Sequence, residues 1–215
     1  MRRNDLTVYV VDDDPSVRDA LSLRLGVEGY RTALFADAES FLVAVDENCA
    51  GCLVLDLKLP REGGLELQAR LRARGIGIPV VVVTAQGDVA SARTAFRADA
   101  IDFLQKPFES RQLLAAVETA FEREERRIAG NDARRDHAGK YERLTARERE
   151  VLERVARGLH AKEIAIELGI SPRTVEVHKA SIMEKVGARN VLELVRFGLA
   201  SGSGAGAQDV ADPPD

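Results

Sequence analysis

The chain of 215 residues contains no tryptophan and only two cysteines. Two cysteines do not provide the disulfide framework of a small secreted domain, and such a composition is typical of a reducing cytosol. No apolar run approaches the roughly 18 residues that a membrane-spanning helix needs. The first five residues lead directly into a strand-like segment and not into the apolar stretch of a signal peptide. These absences predict a cytoplasmic protein that does not enter a membrane.

The two cysteines, Cys49 and Cys52, have the CxxC spacing that occurs in metal and redox sites. A structural zinc site requires four ligands, and the sequence has no second pair of cysteines. We therefore favour two ordinary thiols beside a strand, with a metal or redox site as the alternative.

Charge is distributed unevenly along the chain. Residues 1–121 contain 14 Lys and Arg against 18 Asp and Glu, a net charge of −4. Residues 141–200 contain 11 basic against 9 acidic residues, a net charge of +2. An acidic first half followed by a mildly basic second half indicates two domains with different partners.

Residues 1–121 alternate between short β-branched, apolar runs and segments with helical periodicity. The predicted strands cover residues 6–11, 30–35, 52–56, 78–84 and 101–105. The predicted helices cover residues 15–27, 37–45, 65–74, 88–97 and 110 onward. Asp14 and Asp88 are predicted to cap the first and fourth of these helices. Five βα units in about 120 residues predict an α/β domain built on a five-stranded, parallel, doubly wound sheet.

The pattern becomes entirely helical after residue 121. Residues 122–140 are strongly charged, and Gly130-Asn131-Asp132 is predicted to interrupt or fray the helix. We interpret this segment as a charged, partly helical linker, with a short coiled coil as an alternative. Residues 201–215, rich in glycine and alanine, are predicted to be a disordered tail.

Residues 141–200 predict a small all-α domain of four helices. Thr145 and Glu148 have the spacing of a capping box, and Ser171-Pro172 is a helix N-cap followed by proline at the first helical position. Gly169 lies between two closely spaced helices and permits a tight turn. This combination is typical of a helix-turn-helix.

Polar residues end or directly follow four of the predicted strands: Asp12 and Asp13, then Asp56, Thr84 and Lys106. Ligands gather at the carboxyl ends of the strands in such a sheet. Neighbouring carboxylates repel one another unless a cation joins them, and hard oxygen ligands suit Mg²⁺. The lysine and the hydroxyl would complete a site for a phosphoryl group. Each residue alone is ordinary for a loop, but their combination at four strand ends favours this site.

The sequence resembles two known families over all but the linker and the tail. Residues 6–121 resemble the flavodoxin-like receiver domain of two-component response regulators, and residues 141–200 resemble the helix-turn-helix of the NarL/FixJ (LuxR-type) family. The receiver motifs are Val10–Asp14, Leu55–Pro60 with Gly64, Val83–Ala85 and Asp102–Phe108.

This resemblance implies that Asp56 accepts a phosphoryl group from a sensor histidine kinase. It also implies that Asp13, Asp56 and the backbone carbonyl of Lys58 hold Mg²⁺, with Asp12 acting through water. Thr84 and Phe103 would be the switch pair: the threonine moves onto the phosphoryl group and the ring turns into the space it leaves. The fourth helix and fifth strand would then pair two receivers as a homodimer.

The sequence departs from the receiver pattern at two positions. Leu59 stands where the family often has Met, a change that conserves volume. Asp99 stands where the family commonly has Gly, and Asp tolerates a positive φ better than most residues.

Two other classes of protein remain to be weighed against a regulator. Phosphatases and mutases with an aspartyl nucleophile carry Asp-x-Asp, whereas Asp56-Leu57-Lys58 lacks the second carboxylate and no cap domain is inserted. Binding modules that never receive phosphate usually lack a pocket residue, and none is missing in this sequence. We therefore interpret the chain as a regulator of transcription and not as an enzyme.

The helix that begins at Pro172 would read double-stranded DNA with its first two turns. Its predicted outward surface consists of Arg173, Thr174, Glu176, Val177, His178 and Lys179. Arg173 and Lys179 suit contacts with phosphate or guanine. Glu176 can accept a hydrogen bond from cytosine N4, with a solvated glutamate as the alternative. His178 either packs or contacts a phosphate. A net charge of only +2 predicts modest affinity for one module, so dimerisation would be needed for a specific site.

Overall fold

The structure is a computed structural model that describes residues 6–85 and 89–202, with side chains omitted at residues 89–92. Contacts divide the chain into two compact units, Met1–Ala129 and Gly130–Asp215. The predicted cap Asp88 and residues 203–215 of the predicted tail lie outside the described residues, whereas Ser201 and Gly202, the first two residues of that predicted tail, are helical.

The first unit alternates strands and helices, at bounds that agree with the prediction to within two residues. The strands are β1 (Thr7–Val11), β2 (Arg31–Phe35), β3 (Gly51–Asp56), β4 (Val80–Thr84) and β5 (Asp102–Gln105). The helices are α1 (Pro15–Val27), α2 (Ala38–Ala44), α3 (Gly64–Ala73), α4 (Val89–Arg97) and α5 (Ser110–Glu142). All strand pairs are parallel, in the order β2-β1-β3-β4-β5. This is the flavodoxin-like order, so the predicted fold class is confirmed.

Two hydrophobic layers cover the sheet. Residues of α2 and α3, such as Phe41 and Leu67, pack on one face, and residues of α1 and α5, such as Leu25 and Val117, pack on the other. The central strands β3 and β4 are buried along their whole length, as expected for parallel strands covered on both faces. The helices leave the carboxyl ends of the strands free to form a site.

The predicted interruption at residues 130–132 is wrong, because α5 is continuous from Ser110 to Glu142. The charged continuation of this helix is anchored by contacts that composition did not reveal. Glu124 is fully buried, and Ile128 packs against the core of the first unit. Near the end of the helix, the His137 ring lies 4.1 Å from the Phe197 ring. Such contacts outweigh the cost of about 1 kcal/mol for a glycine inside a helix.

The second unit completes the predicted set of helices. They are α6 (Ala146–Ala156), α7 (Ala161–Leu168), α8 (Pro172–Val186) and α9 (Val191–Gly202). The Thr145 hydroxyl accepts from the Glu148 N–H and the glutamate accepts from the Thr145 N–H, so the predicted capping box is present. Gly169 ends α7 in the left-handed conformation with a φ of 64°. A side chain is disfavoured at that φ, and the glycine therefore allows the sharp turn into α8.

The two cysteines belong to clusters on opposite faces of the first unit's sheet. Burial raises the pKa of the Cys49 thiol to about 11, and it raises that of Cys52 as well. Both groups are therefore protonated at neutral pH, which agrees with two ordinary thiols. Among the described helices, none is both long and apolar enough to cross a membrane.

Candidate functional site

The carboxyl edge of the sheet brings together side chains from four strands. Asp12 follows β1, Asp56 and Thr84 end β3 and β4, and Lys106 follows β5. Asp12, Asp56 and Thr84 are only 1%, 6% and 0% exposed. Polar groups this deeply buried need partners, because an uncompensated buried charge is strongly destabilising.

Lys106 joins two of the carboxylates. Its Nζ lies 2.5 Å from Asp12 Oδ2 and 2.8 Å from Asp56 Oδ2. Burial lowers the pKa of the Lys106 ammonium, but hydrogen bonds and charges from both carboxylates raise it more, so the net shift is upward. The lysine therefore stays charged and offsets the repulsion between the two aspartates.

Backbone groups orient the other oxygen of each carboxylate. Asp12 Oδ1 accepts from the Asp14 N–H at 3.0 Å, and Asp56 Oδ1 accepts from the Lys58 N–H at 2.9 Å. The Arg18 guanidinium donates to the Asp12 carbonyl at 2.6 Å. Sequence reasoning missed Arg18, whose position on α1, one turn after the N-cap, was the available signal. Both carboxylates are thus held in one orientation before any ligand binds.

Asp12, Asp13 and Asp56 form a cluster that fits a metal ion. Each offers a carboxylate oxygen, and these oxygens lie within 4.8 Å of one another. Asp13 is exposed, whereas the other two are buried. Three hard oxygen donors open to solvent on one side suit a divalent cation that keeps several of its waters. The predicted role of the Lys58 carbonyl stays a prediction.

Gly64 determines the shape of the loop that follows Asp56. A Cβ at this position would lie 2.5 Å from the Asp56 carbonyl oxygen and 2.9 Å from Leu57 Cα. The Gly64 N–H also donates to the Leu57 carbonyl at 3.0 Å. Only glycine therefore allows α3 to begin directly against the end of β3.

The predicted switch pair lies on one face of the sheet. Val82 pairs with Phe103, and Thr84 pairs with Gln105, two residues further along both strands. Because side chains alternate between faces, Thr84 and Phe103 point to the same side. Phe103 is partly buried against the core on that side. The movement of this pair stays a prediction.

Asp99 occupies the turn between α4 and β5 in the left-handed region, with a φ of 66°. Its carboxylate forms an ion pair with Arg123 on α5. The departure from glycine is therefore accommodated by a residue type that tolerates this region. The added side chain ties the turn to α5.

The six residues predicted to read DNA lie on α8 but differ in exposure. Arg173, Glu176 and Val177 are exposed, whereas Thr174, His178 and Lys179 are partly covered. The Thr174 N–H donates to the N-cap residue Ser171 at 3.0 Å. Lys179 Nζ lies 2.9 Å from Glu176 Oε1, and the lysine side chain is only 17% exposed. Two residues that were predicted to act separately on DNA are therefore paired with each other.

A second ion pair, which sequence reasoning missed, joins the buried Glu148 to the partly exposed Lys185 of α8. Lys185 Nζ lies 2.7 Å from Glu148 Oε2, and Ser181 donates to the same carboxylate at 2.8 Å. The capping box was the only sequence signal, and it gave Glu148 a local role alone. The pair connects the start of α6 to the last turns of α8.

Two family models match the chain. Residues 8–118 match the response regulator receiver domain, and residues 142–198 match the luxR family of bacterial regulatory proteins. The transcriptional regulatory protein FixJ of Bradyrhizobium diazoefficiens is 40% identical over 195 residues, which cover 91% of this chain and 95% of that protein. FixJ of Rhizobium meliloti is 42% identical over 200 residues, which cover 93% and 98%.

Solved structures give the same result. The response regulator StyR superimposes with a TM-score of 0.81 at 41% identity and covers 89% of this chain and 96% of its own. Full-length FixJ from B. japonicum has a TM-score of 0.56 at 38% identity and covers 93% and 98%. A receiver domain joined to a LuxR-type DNA-binding domain defines a transcriptional response regulator. The chain belongs to the NarL/FixJ family of these regulators, which are controlled by phosphorylation on an aspartate.

Proposed function

We propose that Asp56 is the phosphoacceptor and that a sensor histidine kinase supplies the phosphoryl group. The supporting observation is a nearly buried carboxylate at a strand end, oriented by the Lys58 N–H and 2.8 Å from the Lys106 ammonium. An Asp56 oxygen forms the new bond to phosphorus as the bond to the kinase's imidazole nitrogen breaks. Lys106 donates to the phosphoryl oxygens, and the Thr84 hydroxyl donates to one of them.

Asp13, Asp56 and the Lys58 carbonyl would hold Mg²⁺, with Asp12 acting through water. When bound, the ion would neutralise charge on the phosphoryl oxygens. Phe103 turns into the space that Thr84 leaves. The cluster of three carboxylates supports this assignment.

The two family matches support an assignment of domains along the chain. We assign residues 1–121 to the receiver, 122–140 to the linker, 141–200 to the DNA-binding domain and 201–215 to a tail. The reading surface consists of Arg173, Thr174, Glu176, Val177, His178 and Lys179. The protein acts in the cytoplasm, where its kinase and DNA partners meet it, as a regulator and not as an enzyme.

Phosphorylation converts the protein to a homodimer through α4 and β5. Phe96 on α4 is a large apolar residue with 51% exposure, which suits such a contact. Two paired chains would place two reading helices on half-sites about 10 bp apart. Sedimentation with and without beryllofluoride tests this step, and a chain that is equally dimeric in both conditions contradicts it.

Phosphorylation with acetyl phosphate and Mg²⁺ tests the assignment of Asp56. Mass spectrometry should find one acyl phosphate on the wild-type chain and none on Asp56→Asn. Asp46→Asn, which changes an exposed aspartate before β3, should label as wild type. Full labelling of Asp56→Asn would show that the acceptor is elsewhere.

A further inference from the structure

A buried carboxylate lies at the opposite end of the strands from the phosphorylation site. Glu124 on α5 has a side chain with 0% exposure. Its Oε1 accepts from the N–H of Gly51, the first residue of β3, at 3.3 Å. The proposed phosphorylation chemistry at Asp56, the last residue of β3, makes no use of this group.

Arg127, three residues further along α5, completes the contact. Its Nε and Nη2 each lie 2.7 Å from a different oxygen of Glu124. Nη2 also donates to the Cys49 carbonyl at 3.2 Å. The carboxylate and the guanidinium therefore each hold one backbone group of the segment that leads into β3.

The backbone that receives these bonds packs closely against β1. Gly51 has a φ of 146°, and a Cβ there would lie 1.8 Å from the Thr7 carbonyl oxygen. The Thr7 N–H donates to the Ala50 carbonyl at 3.1 Å. The clamp formed by Glu124 and Arg127 thus joins α5 to backbone at the start of β3 that packs closely against β1.

An ion pair that includes a buried carboxylate carries a desolvation cost that apolar side chains at the same positions would not. Breaking a buried ion pair is strongly destabilising, yet well-packed apolar residues often replace one without loss of stability. Stability alone therefore gives no reason for Glu124 and Arg127. Their bonds do specify direction, because both carboxylate oxygens and the guanidinium fork must be aligned.

The clamp lies at the start of the segment of α5 whose sequence favours a helix least. Beyond Phe121 the sequence is charged and includes Gly130 and Asn131, which are poor helix formers. Helices of such sequence depend on tertiary contacts, since isolated short helices are marginal in water. Glu124 and Arg127 provide these contacts immediately before the chain passes into the second unit.

We propose that Glu124 and Arg127 are positioning residues that fix the continuation of α5 to the receiver, and that the effect of phosphorylation on DNA binding depends on them. The second part rests on the proposed function. The pair is far along the chain from Asp56 and is not expected to change the phosphorylation reaction itself.

The test compares two double variants of the full chain that remove equal charge from one helix. Glu124→Gln with Arg127→Gln removes the ion pair of the clamp and both hydrogen bonds between the two side chains. Glu122→Gln with Arg126→Gln removes an exposed pair, 3.2 Å apart with side chains 65% and 78% exposed. Amide hydrogen exchange of residues 122–129 should be at least tenfold faster in the clamp variant, whereas the control should match wild type. Unchanged exchange in the clamp variant would overturn the positioning role.

The second measurement is the ratio of DNA affinities with and without phosphorylation, where coupling is typically about 5–150-fold. The clamp variant should take up phosphate from acetyl phosphate at the wild-type level and yet show a ratio near one. The control should keep the wild-type ratio. A purely structural role would leave the ratio intact in folded protein, so a wild-type ratio alongside faster exchange overturns the coupling. If wild type itself shows no dependence on phosphate, the proposed function fails, while hydrogen exchange still decides the positioning role.

Discussion

The Lys106 ammonium lies 2.8 Å from the Asp56 carboxylate, on the oxygen that the Lys58 N–H does not contact. A cation of the protein therefore already binds the carboxylate that is proposed to hold Mg²⁺. The lysine and the metal ion repel each other and share one anionic group. Their competition for Asp56 can be measured as the affinity for Mg²⁺ with and without the lysine.

Removing the lysine should strengthen metal binding while weakening phosphorylation. In Lys106→Ala the carboxylates of Asp12 and Asp56 lose their neutralising partner, and Mg²⁺ becomes the cation that offsets their repulsion. We expect roughly tenfold tighter Mg²⁺ binding by calorimetry, the ratio that about 1.4 kcal/mol produces. Lys58→Ala is the control, because the backbone N–H of this residue makes its contact with Asp56. Weaker Mg²⁺ binding in Lys106→Ala would contradict the competition.

Two neighbouring aspartates should separate metal binding from helix capping. Asp13 belongs to the carboxylate cluster, whereas the Asp14 carboxylate accepts from the Ser16 N–H at 2.8 Å and caps α1. Asp13→Ala should therefore remove most Mg²⁺ affinity with little change in stability. Asp14→Ala should keep that affinity and lose about 1 kcal/mol of unfolding free energy. Equal losses of Mg²⁺ affinity in both variants would show that the two residues are not distinguished.

The cluster of polar side chains at the carboxyl edge of the sheet was predictable because the fold determines it. Strand periodicity identifies each strand, and parallel strands bring their carboxyl ends to one edge. Asp12, Asp56, Thr84 and Lys106 therefore had to lie close together once the sheet was inferred. Lys106 pairs with both aspartates because the three side chains meet at this edge and their charges are opposite.

The clamp at Glu124 was not predictable by the same reasoning. A charged run normally indicates a solvated surface, and Glu124 belongs to such a run. Its burial depends on Gly51, which is distant in sequence and supplies only a backbone N–H. Backbone groups leave no trace in composition or periodicity, so the sequence predicted an interruption at residues 130–132 where the helix is continuous.

The ion pair between the buried Glu148 and the partly exposed Lys185 should make the second unit sensitive to acid. Burial raises the pKa of Glu148, but hydrogen bonds from Lys185, Thr145 and Ser181 lower it more, and its pKa is about 2 against an ordinary 4.5. A carboxyl group with a depressed pKa stabilises the folded state above its unfolded pKa. This contribution, up to roughly 3 kcal/mol, is lost as pH falls from about 4.5 to 2.

Glu148→Gln should therefore lower stability at neutral pH and flatten the acid dependence between about pH 4.5 and 2. The amide signals of α6 and α8 report this unit separately from the receiver. Glu153→Gln, which changes an exposed residue of α6, should keep the wild-type acid dependence. A Glu148→Gln protein with the same acid dependence as wild type would show that another group is responsible.

Lys179→Ala should weaken binding to every DNA sequence if, as we propose, this lysine contacts the negatively charged DNA backbone. The slope of log affinity against log salt should fall by about one. The loss of affinity should exceed that expected from one phosphate contact. Without Lys179, whose Nζ lies 2.9 Å from Glu176 Oε1, the unpaired carboxylate would repel the DNA. Arg196→Ala on α9 serves as the control. A change confined to one base pair would assign Lys179 to base reading instead.

Glu176→Ala should relax preference at a single base pair, because a carboxylate accepts from cytosine N4 in the major groove. The expected loss on the correct site is roughly 1–3 kcal/mol, with little change on random DNA. Lys179 holds this carboxylate in one orientation, so the discrimination should shrink in Lys179→Ala as well, and the double variant should lose less than the sum of the single changes. Binding to a library that varies each base pair measures the preference, with Glu184→Ala on the same helix as the control. Equal losses on specific and random DNA for Glu176→Ala would show that the glutamate reads no base.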